Sequence, residues 1–464
     1  MLAVMIRLAV LVIIVAALPC CKELNPAYCN THTDQRCGTD ASTIEDSSTV
    51  ADVPPVEAPC TNNLGCKLAT APACDLSGGD GVCVVCTATD HQLCTGTTPV
   101  CNTSHTCEAC DSNADCPLSD LCLPTGACAA ETDIAYVVAG SPANTVCSKA
   151  TPCPLIMNGL TAVTGGTPRP YVKVSGSFDE GVTIDHSVIM LAAPGAQLTR
   201  TSDGAIVTVN NASVVEINDL IITKSKAGAG VFTTGTAAVT LKRVTVSENN
   251  GSGITCGGQS LIVAGSSLTK NEQAGVECSG GSLTVTGSTI SANRGGGITA
   301  VTGSFDITNN FIVENGDRSS AVVGGVFLEP SPSTTNRFEF NTVADNHIRD
   351  SISAPAGGVA CNVAAFTAPN NILARNDVNG DVSRSNANFA GPCTYPTSTI
   401  ATAVPMLQFV APDADPPNYH IQTGSVAIGL ATTPTTVVVD FDGQPRPGAT
   451  ANDQGADELV APGQ

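Results

Sequence analysis

Between Gly228 and Asn376 the chain repeats every 22 to 23 residues. Asn249, Asn271, Asn293 and Asn315 stand at successive intervals of 22, each three residues after an aliphatic: Val246, Leu268, Ile290, Ile312. A second ladder is Gly230, Gly253, Gly275, Gly297, each followed by Val231, Ile254, Val276 or Ile298. A third is Leu241, Val263, Val285, Ile307. A period in this range marks a stacked-repeat architecture. Within each unit, short β-rich runs such as Ser260–Val263 and Ser282–Val285 alternate polar and apolar residues or nearly so, and small turn formers separate them. No unit carries a useful helical spacing, and the dense leucine pattern of leucine-rich repeats is missing. The remaining solution is an all-β parallel β-helix, one coil per repeat.

Stacked strands lie about 4.8 Å apart, so equivalent side chains of successive coils should form columns. The aliphatics are expected to face inward. The asparagines are expected at a bend, bonding backbone groups and one another and tolerating a left-handed conformation. The glycines are expected where a Cβ would clash. After Asn315 the spacing loosens: Gly325 and Gly358 continue one ladder, Asn346 and Asn376 the other. The additional residues, around 317–322, 329–337 and 349–355, should bulge as loops, where a binding site on a solenoid is expected.

The first 20 residues, with Arg7 and the apolar run Leu8–Leu18, form a secretory signal peptide. Leu18-Pro19-Cys20-Cys21 resembles a lipobox, with Cys21 as the lipidated residue and Cys20 as the alternative; an unanchored secreted form is the other reading. Residues 21–59 contain Cys29 and Cys37, expected to pair, and then an acidic flexible linker without aromatics. Residues 60–128 hold three four-cysteine units: Cys60, Cys66, Cys74, Cys83; Cys86, Cys94, Cys101, Cys107; Cys110, Cys116, Cys122, Cys128. Such density implies disulfides and an oxidising compartment. Cys83-x2-Cys86 and Cys107-x2-Cys110 also have a zinc-site spacing. Cys94 and Cys101 between them, in phase with the flanking units, favour disulfides. Further expected pairs are Cys147 with Cys153 and Cys361 with Cys393. Cys256 and Cys278, 22 apart, are either bridged across adjacent coils or a buried thiol stack.

Residues 132–400 are assigned to the β-helix and 401–464 to a C-terminal cap or tail. Ile134–Val138 reads as a first strand. Pro154–Val163 reads as a short amphipathic helix closing the open end. At 22 residues per coil, roughly ten to twelve coils give a rod on the order of 50 Å long. The tail carries Asp440-Phe441-Asp442-Gly443-Gln444-Pro445-Arg446-Pro447 and Asp453-Gln454-Gly455-Ala456-Asp457-Glu458. It resembles the ending of bacterial right-handed parallel β-helix proteins of the pectin-lyase-like superfamily, choice-of-anchor Q group, which implies a right-handed solenoid here, preceded by a small N-terminal disulfide-rich domain. Val426 and Gly429 depart from that ending, which has proline and aspartate there. The cysteine units resemble those of Gram-negative surface lipoproteins.

The fold that the resemblance implies often hosts polysaccharide lyases and glycosidases. The Asn-Thr-Asp, Asp-Asp, Gly-His-Gly and Arg-Ile-Lys groups of a galacturonase-like site do not occur in the sequence. The six histidines, His32, His91, His105, His186, His347 and His420, have no motif partners. Asp345, His347, Arg349 and Asp350 form the one mixed acid–base set in the solenoid sequence. With no Trp and five Tyr, a sugar-stacking groove is poorly supplied. Asp440 and Asp442 are weak calcium candidates, a capped turn being the plainer reading. The formal charge of −21 argues against nucleic acid as a partner. The expected function is therefore a non-enzymatic outer-membrane or cell-surface lipoprotein, presenting a rigid β-helix for adhesion, recognition or scaffolding. Its partners would be the membrane, through lipid, and a polysaccharide or surface protein. The alternative is a β-helix enzyme acting on acidic polysaccharide.

Overall fold

The computed structural model describes residues 59–164, 169–211, 213–317, 321, 323–329, 336–349, 356–362, 366–402, 406–432, 435–447 and 452–459. The expected signal peptide, Cys20, Cys21, Cys29, Cys37 and the acidic linker lie outside them, as do Asp350 and most of the three expected loops.

From Ile134 onward the chain winds as a parallel β-helix. Three parallel sheets run its length, with nine, ten and nine strands, making about nine turns. One coil can stand for the others. Ser260–Ala264 lies in the first sheet, Ser267–Thr269 in the second and Val276–Ser279 in the third. The next coil repeats this in register 22 residues later, pairing Leu261 with Leu283 and Leu268 with Ile290. Fewer turns form than the 22-residue period implies because outer coils are longer. Val188 pairs with Val215 and Ile307 with Phe338, steps of 27 and 31 residues. At about 4.8 Å per turn the rod is on the order of 45 Å long.

The inward columns form the core. Val246, Leu268, Ile290 and Ile312 are fully buried, as are Leu241, Val263, Val285 and Ile307. Each such side chain contributes roughly 1.5–3 kcal/mol by leaving water. Cys256 and Cys278 point into the same core, where they are disulfide-bonded with Cα atoms 4.5 Å apart. Cys361 and Cys393 are bridged on the last coils, and Cys147 and Cys153 beside the first.

Two polar ladders hold the corners. Asn249, Asn271, Asn293, Asn315, Asn346, Asn376 and Asn388 each pass a side-chain hydrogen bond to the next, at 2.8–3.0 Å. From Asn271 to Asn376 each also donates to a carbonyl of the coil behind, for example Asn293 to Leu268 O at 2.9 Å. The sequence reading assigned these asparagines the left-handed conformation. The structure moves it one residue earlier, to Glu248, Lys270, Ala292, Glu314, Asp345 and Arg375, whose φ angles are +52° to +58°. The reason is geometric: the left-handed residue turns the chain outward, and the following asparagine is then aimed inward at its neighbours. The glycine ladder is a matter of room, since a Cβ on Gly275 would sit 2.6 Å from Ile290 Cγ2 and 2.9 Å from Gly297 O.

The opposite corner has a second ladder that the sequence reading missed. Ser266, Ser288, Asn310, Asn341, Asn371 and Ser398 are linked at 2.9–3.1 Å, amide to side-chain oxygen. Its signal was present: Asn310, Asn341 and Asn371 each stand five residues before a member of the first ladder.

The helix Ile156–Val163 packs Ile156, Leu160 and Val163 into the core at the N-terminal end. Gly159 permits this approach; a Cβ there would lie 2.4 Å from Val137 Cγ2. The helix lacks a side-chain cap of its own, and Glu180 supplies one, accepting from Ile156 N at 2.7 Å. Burial raises the Glu180 pKa, opposed by these backbone hydrogen bonds.

The described part of the tail packs along the flank of the second sheet. On the middle coils the second sheet shows Thr245, Ser247, Thr269 and Thr289 outward. On the last coils these become Phe311, Val313, Ala344, Ile372 and Ala374. Leu407, Phe409, Tyr419, Ile421, Ala427 and Ala456 of the tail cover them, with Phe409–Ala411 and Asn418–Ile421 paired antiparallel.

Candidate functional site

The cysteine units follow one rule. In each, the first cysteine bonds the third and the second the fourth: Cys60–Cys74 and Cys66–Cys83, Cys86–Cys101 and Cys94–Cys107, Cys110–Cys122 and Cys116–Cys128. The rival zinc reading of Cys83, Cys86, Cys107 and Cys110 is corrected by this pattern, because those four cysteines go to four different bridges.

The third unit docks on the first sheet. Leu121 and Ala129 pack with Ile134, Tyr136 and Leu191. Tyr136 Oη donates to Ser119 O at 2.8 Å, and Lys149 Nζ donates to the Pro117 and Leu118 carbonyls at 2.9 and 3.0 Å. Lys149 also pairs with Asp120 at 2.9 Å, and Lys173 donates to Asp120 O. Beside this contact, unit and coils enclose a cleft of about 720 Å³, lined by Asp111, Asn113 and Thr125 on one wall and Pro194, Asp219 and Arg243 on the other. Asp219 and Arg243 occupy left-handed corner positions, which turn their side chains outward. They form a two-pronged pair, Nε to Oδ1 at 2.7 Å and Nη2 to Oδ2 at 2.8 Å. Asp219 raises the Arg243 pKa through that hydrogen bond. The volume falls in the range of small-molecule sites, and its polar walls suit a hydrogen-bonding ligand. No sequence motif marks this cleft; it arises only when the disulfide unit meets the coils.

The acid–base set named from sequence is divided by the fold. Asp345 faces the tail, where Tyr419 Oη donates to its Oδ2 at 2.5 Å and Arg375 pairs with the same oxygen. Burial, and then the charge of Asp345, raise the Tyr419 pKa far above its ordinary value. His347 and Arg349 instead meet Asp317, at 3.6 and 3.0 Å, with Arg294 at 3.9 Å on its other side. Arg294 also holds Glu272 at 2.8 Å. This is a surface ion-pair network. Of the other histidines, His105 Nε2 reaches Asp75 at 3.2 Å and His186 Nδ1 reaches Asp185 at 3.0 Å.

The tail signature proves to be a set of clasps. Asp440 Oδ1 accepts from the backbone of Asp442 and Gln444, and its Oδ2 from Glu458 N. Asp453 accepts from Gly429 N and Leu459 N. Arg446 is fully buried, lies 4.1 Å over the Phe340 ring, and donates to Glu458, Asn309 and the carbonyls of Asp453, Gly455 and Ala456. Asp440 therefore closes a turn. Asp442 reaches across to His420 at 3.0 Å.

A family model described as a right handed beta helix region matches residues 229–391. Among solved structures the chain is similar to the crystal structure of pectate lyase Pel9A, at 13% identity and a TM-score of 0.40, covering 70% of this chain and 96% of that one. No curated protein matches the chain.

Proposed function

We propose that this protein is an exported cell-envelope lipoprotein that works by binding, with Cys21 as the lipidated residue and the β-helix as a rigid carrier for the cleft beside the third cysteine unit. The observation that carries the reading is that cleft: a ligand-sized, polar concavity framed by a disulfide-bonded wall and by corner side chains of the solenoid. Both walls are preorganised, which lowers the ordering cost of binding. Its ligand class is a hydrogen-bonding one, a surface polysaccharide or a polar protein segment. Placement in the outer membrane or at the cell surface is part of the same proposal, consistent with nine disulfides among the described residues.

Two measurements test it. Labelled palmitate should enter the wild-type chain and not Cys21→Ser; labelling of both removes Cys21 as the lipidated residue, and labelling of neither removes the anchor. Retention on immobilised envelope polysaccharide should fall at least about tenfold in Arg243→Ala. Unchanged retention removes the cleft.

A second reading, an enzyme acting on acidic polysaccharide, draws support from the three basic side chains around Asp317. Formation of unsaturated uronate from a uronate polymer with calcium would establish it.

A further inference from the structure

His420, Asp442 and Asp457 come together where the tail hairpin meets the last clasp, and one donor atom from each lies within 4.8 Å of the others. The protonation of the imidazole is constrained by its neighbours. Asn418 Oδ1 accepts His420 N–H at 3.0 Å, which fixes that atom as the amide oxygen, and it also lies 2.6 Å from Nδ1. Nδ1 must therefore carry the hydrogen. Nε2, a buried atom that makes no well-aligned hydrogen bond, lies 3.0 Å from Asp442 Oδ2, so a proton or a cation must sit between them. The carboxylate of Asp457, a buried residue held by Ile421 N at 2.7 Å, is the third to converge. Three such atoms facing one point repel one another unless a positive charge, a proton or a metal cation, sits between them. The ring is also held in place, 4.9 Å from Phe311 and 5.8 Å from Phe441. An imidazole with one nitrogen hydrogen-bonded to an oxygen and the other aimed at carboxylates is the arrangement of an oriented metal ligand.

We propose that His420 Nε2, Asp442 and Asp457 bind a first-row divalent cation of the zinc type, with solvent completing its coordination through the exposed side of Asp442. The imidazole selects against calcium and magnesium, which prefer oxygen alone. Asp440 is excluded as a ligand, because its two oxygens are engaged by three backbone N–H groups. Bound metal would join the hairpin residue His420 to the turn residue Asp442 and the terminal residue Asp457, tying three segments of the tail to one another. The described cysteines are disulfide-bonded and supply no competing thiolate. The site is separate from the cleft, and its failure would leave the proposed function standing.

The test uses the full-length oxidised protein without a histidine tag, treated with chelator and then dialysed against zinc chloride or cobalt chloride. The wild type should retain one zinc per chain by elemental analysis, and the cobalt form should show a visible d–d band. Asp442→Asn and His420→Gln should each weaken zinc binding at least about tenfold, with unchanged circular dichroism. Calcium chloride should not displace the zinc. Retention of no zinc by the wild type, equal retention by both variants, or an Nε2 proton persisting in the nitrogen NMR spectrum with excess zinc would each overturn the proposal. The last result would mean that a proton alone fills the gap.

Discussion

Asn293 shows how tightly one side chain can be bound into a corner. Its Oδ1 accepts from Asn271 N and Nδ2, and its Nδ2 donates to Leu268 O and Asn315 Oδ1. Asn293→Ala removes four buried hydrogen bonds, so stability should fall by on the order of 3 kcal/mol. The residue before it should behave oppositely. Ala292 already holds φ +54°, which costs an ordinary residue about 1 kcal/mol or more, so Ala292→Gly should be neutral or slightly stabilising. Urea unfolding followed by circular dichroism compares the two. Tyr136 adds a pH dependence. Burial, aided by the charges of Glu131 and Asp120, pushes its pKa up to about 12. An unfolded tyrosine ionises near 10. The folded state thus holds the proton more tightly, and the contribution is complete below about pH 10 and is lost as pH rises through about 12. Phenolate absorbance should lag that of free tyrosine, then rise as the third cysteine unit leaves the first sheet.

At the scale of the element, the helix Ile156–Val163 is the closure of an otherwise open core. Leu160→Asp places a charge at a buried site, and the helix should detach. The exposed first coil should then pair with other copies, seen as concentration-dependent species in light scattering. The flank depends on Arg446. Arg446→Met removes the hydrogen bonds to three carbonyls and to Glu458, so the last segment should become protease-sensitive while the disulfide-linked coils stay intact. Removing one partner of a buried ion pair costs about 3–5 kcal/mol.

Elements also show what could be read from residues alone. Periodicity exposed the inward columns and the Asn249–Asn376 ladder because each depends on one residue type recurring at one spacing. The second ladder mixes Ser266 and Ser288 with Asn310, Asn341 and Asn371, so a search for one residue type misses it. The change of outward residues from Thr289 to Phe311 marked where the tail docks, yet it becomes meaningful only once inward and outward are assigned. The cleft sets Asp111 of a disulfide unit opposite Arg243 of a coil, and the metal-type convergence sets His420 of a hairpin beside Asp457. These residues are far apart along the chain, and no local spacing encodes their meeting.

The whole molecule is an acidic rod with a decorated front, a plain middle and a strapped rear. Its charge of −21 is distributed over a surface on which many cations are already paired, such as Arg337 with Asp306 and Arg243 with Asp219. Between those two ends, every inner turn meets the next through the same three seams. Span is therefore adjustable in whole courses, as with bricks in a chimney: another turn inserted in the plain middle would move the two specialised ends apart by about 4.8 Å without remaking either.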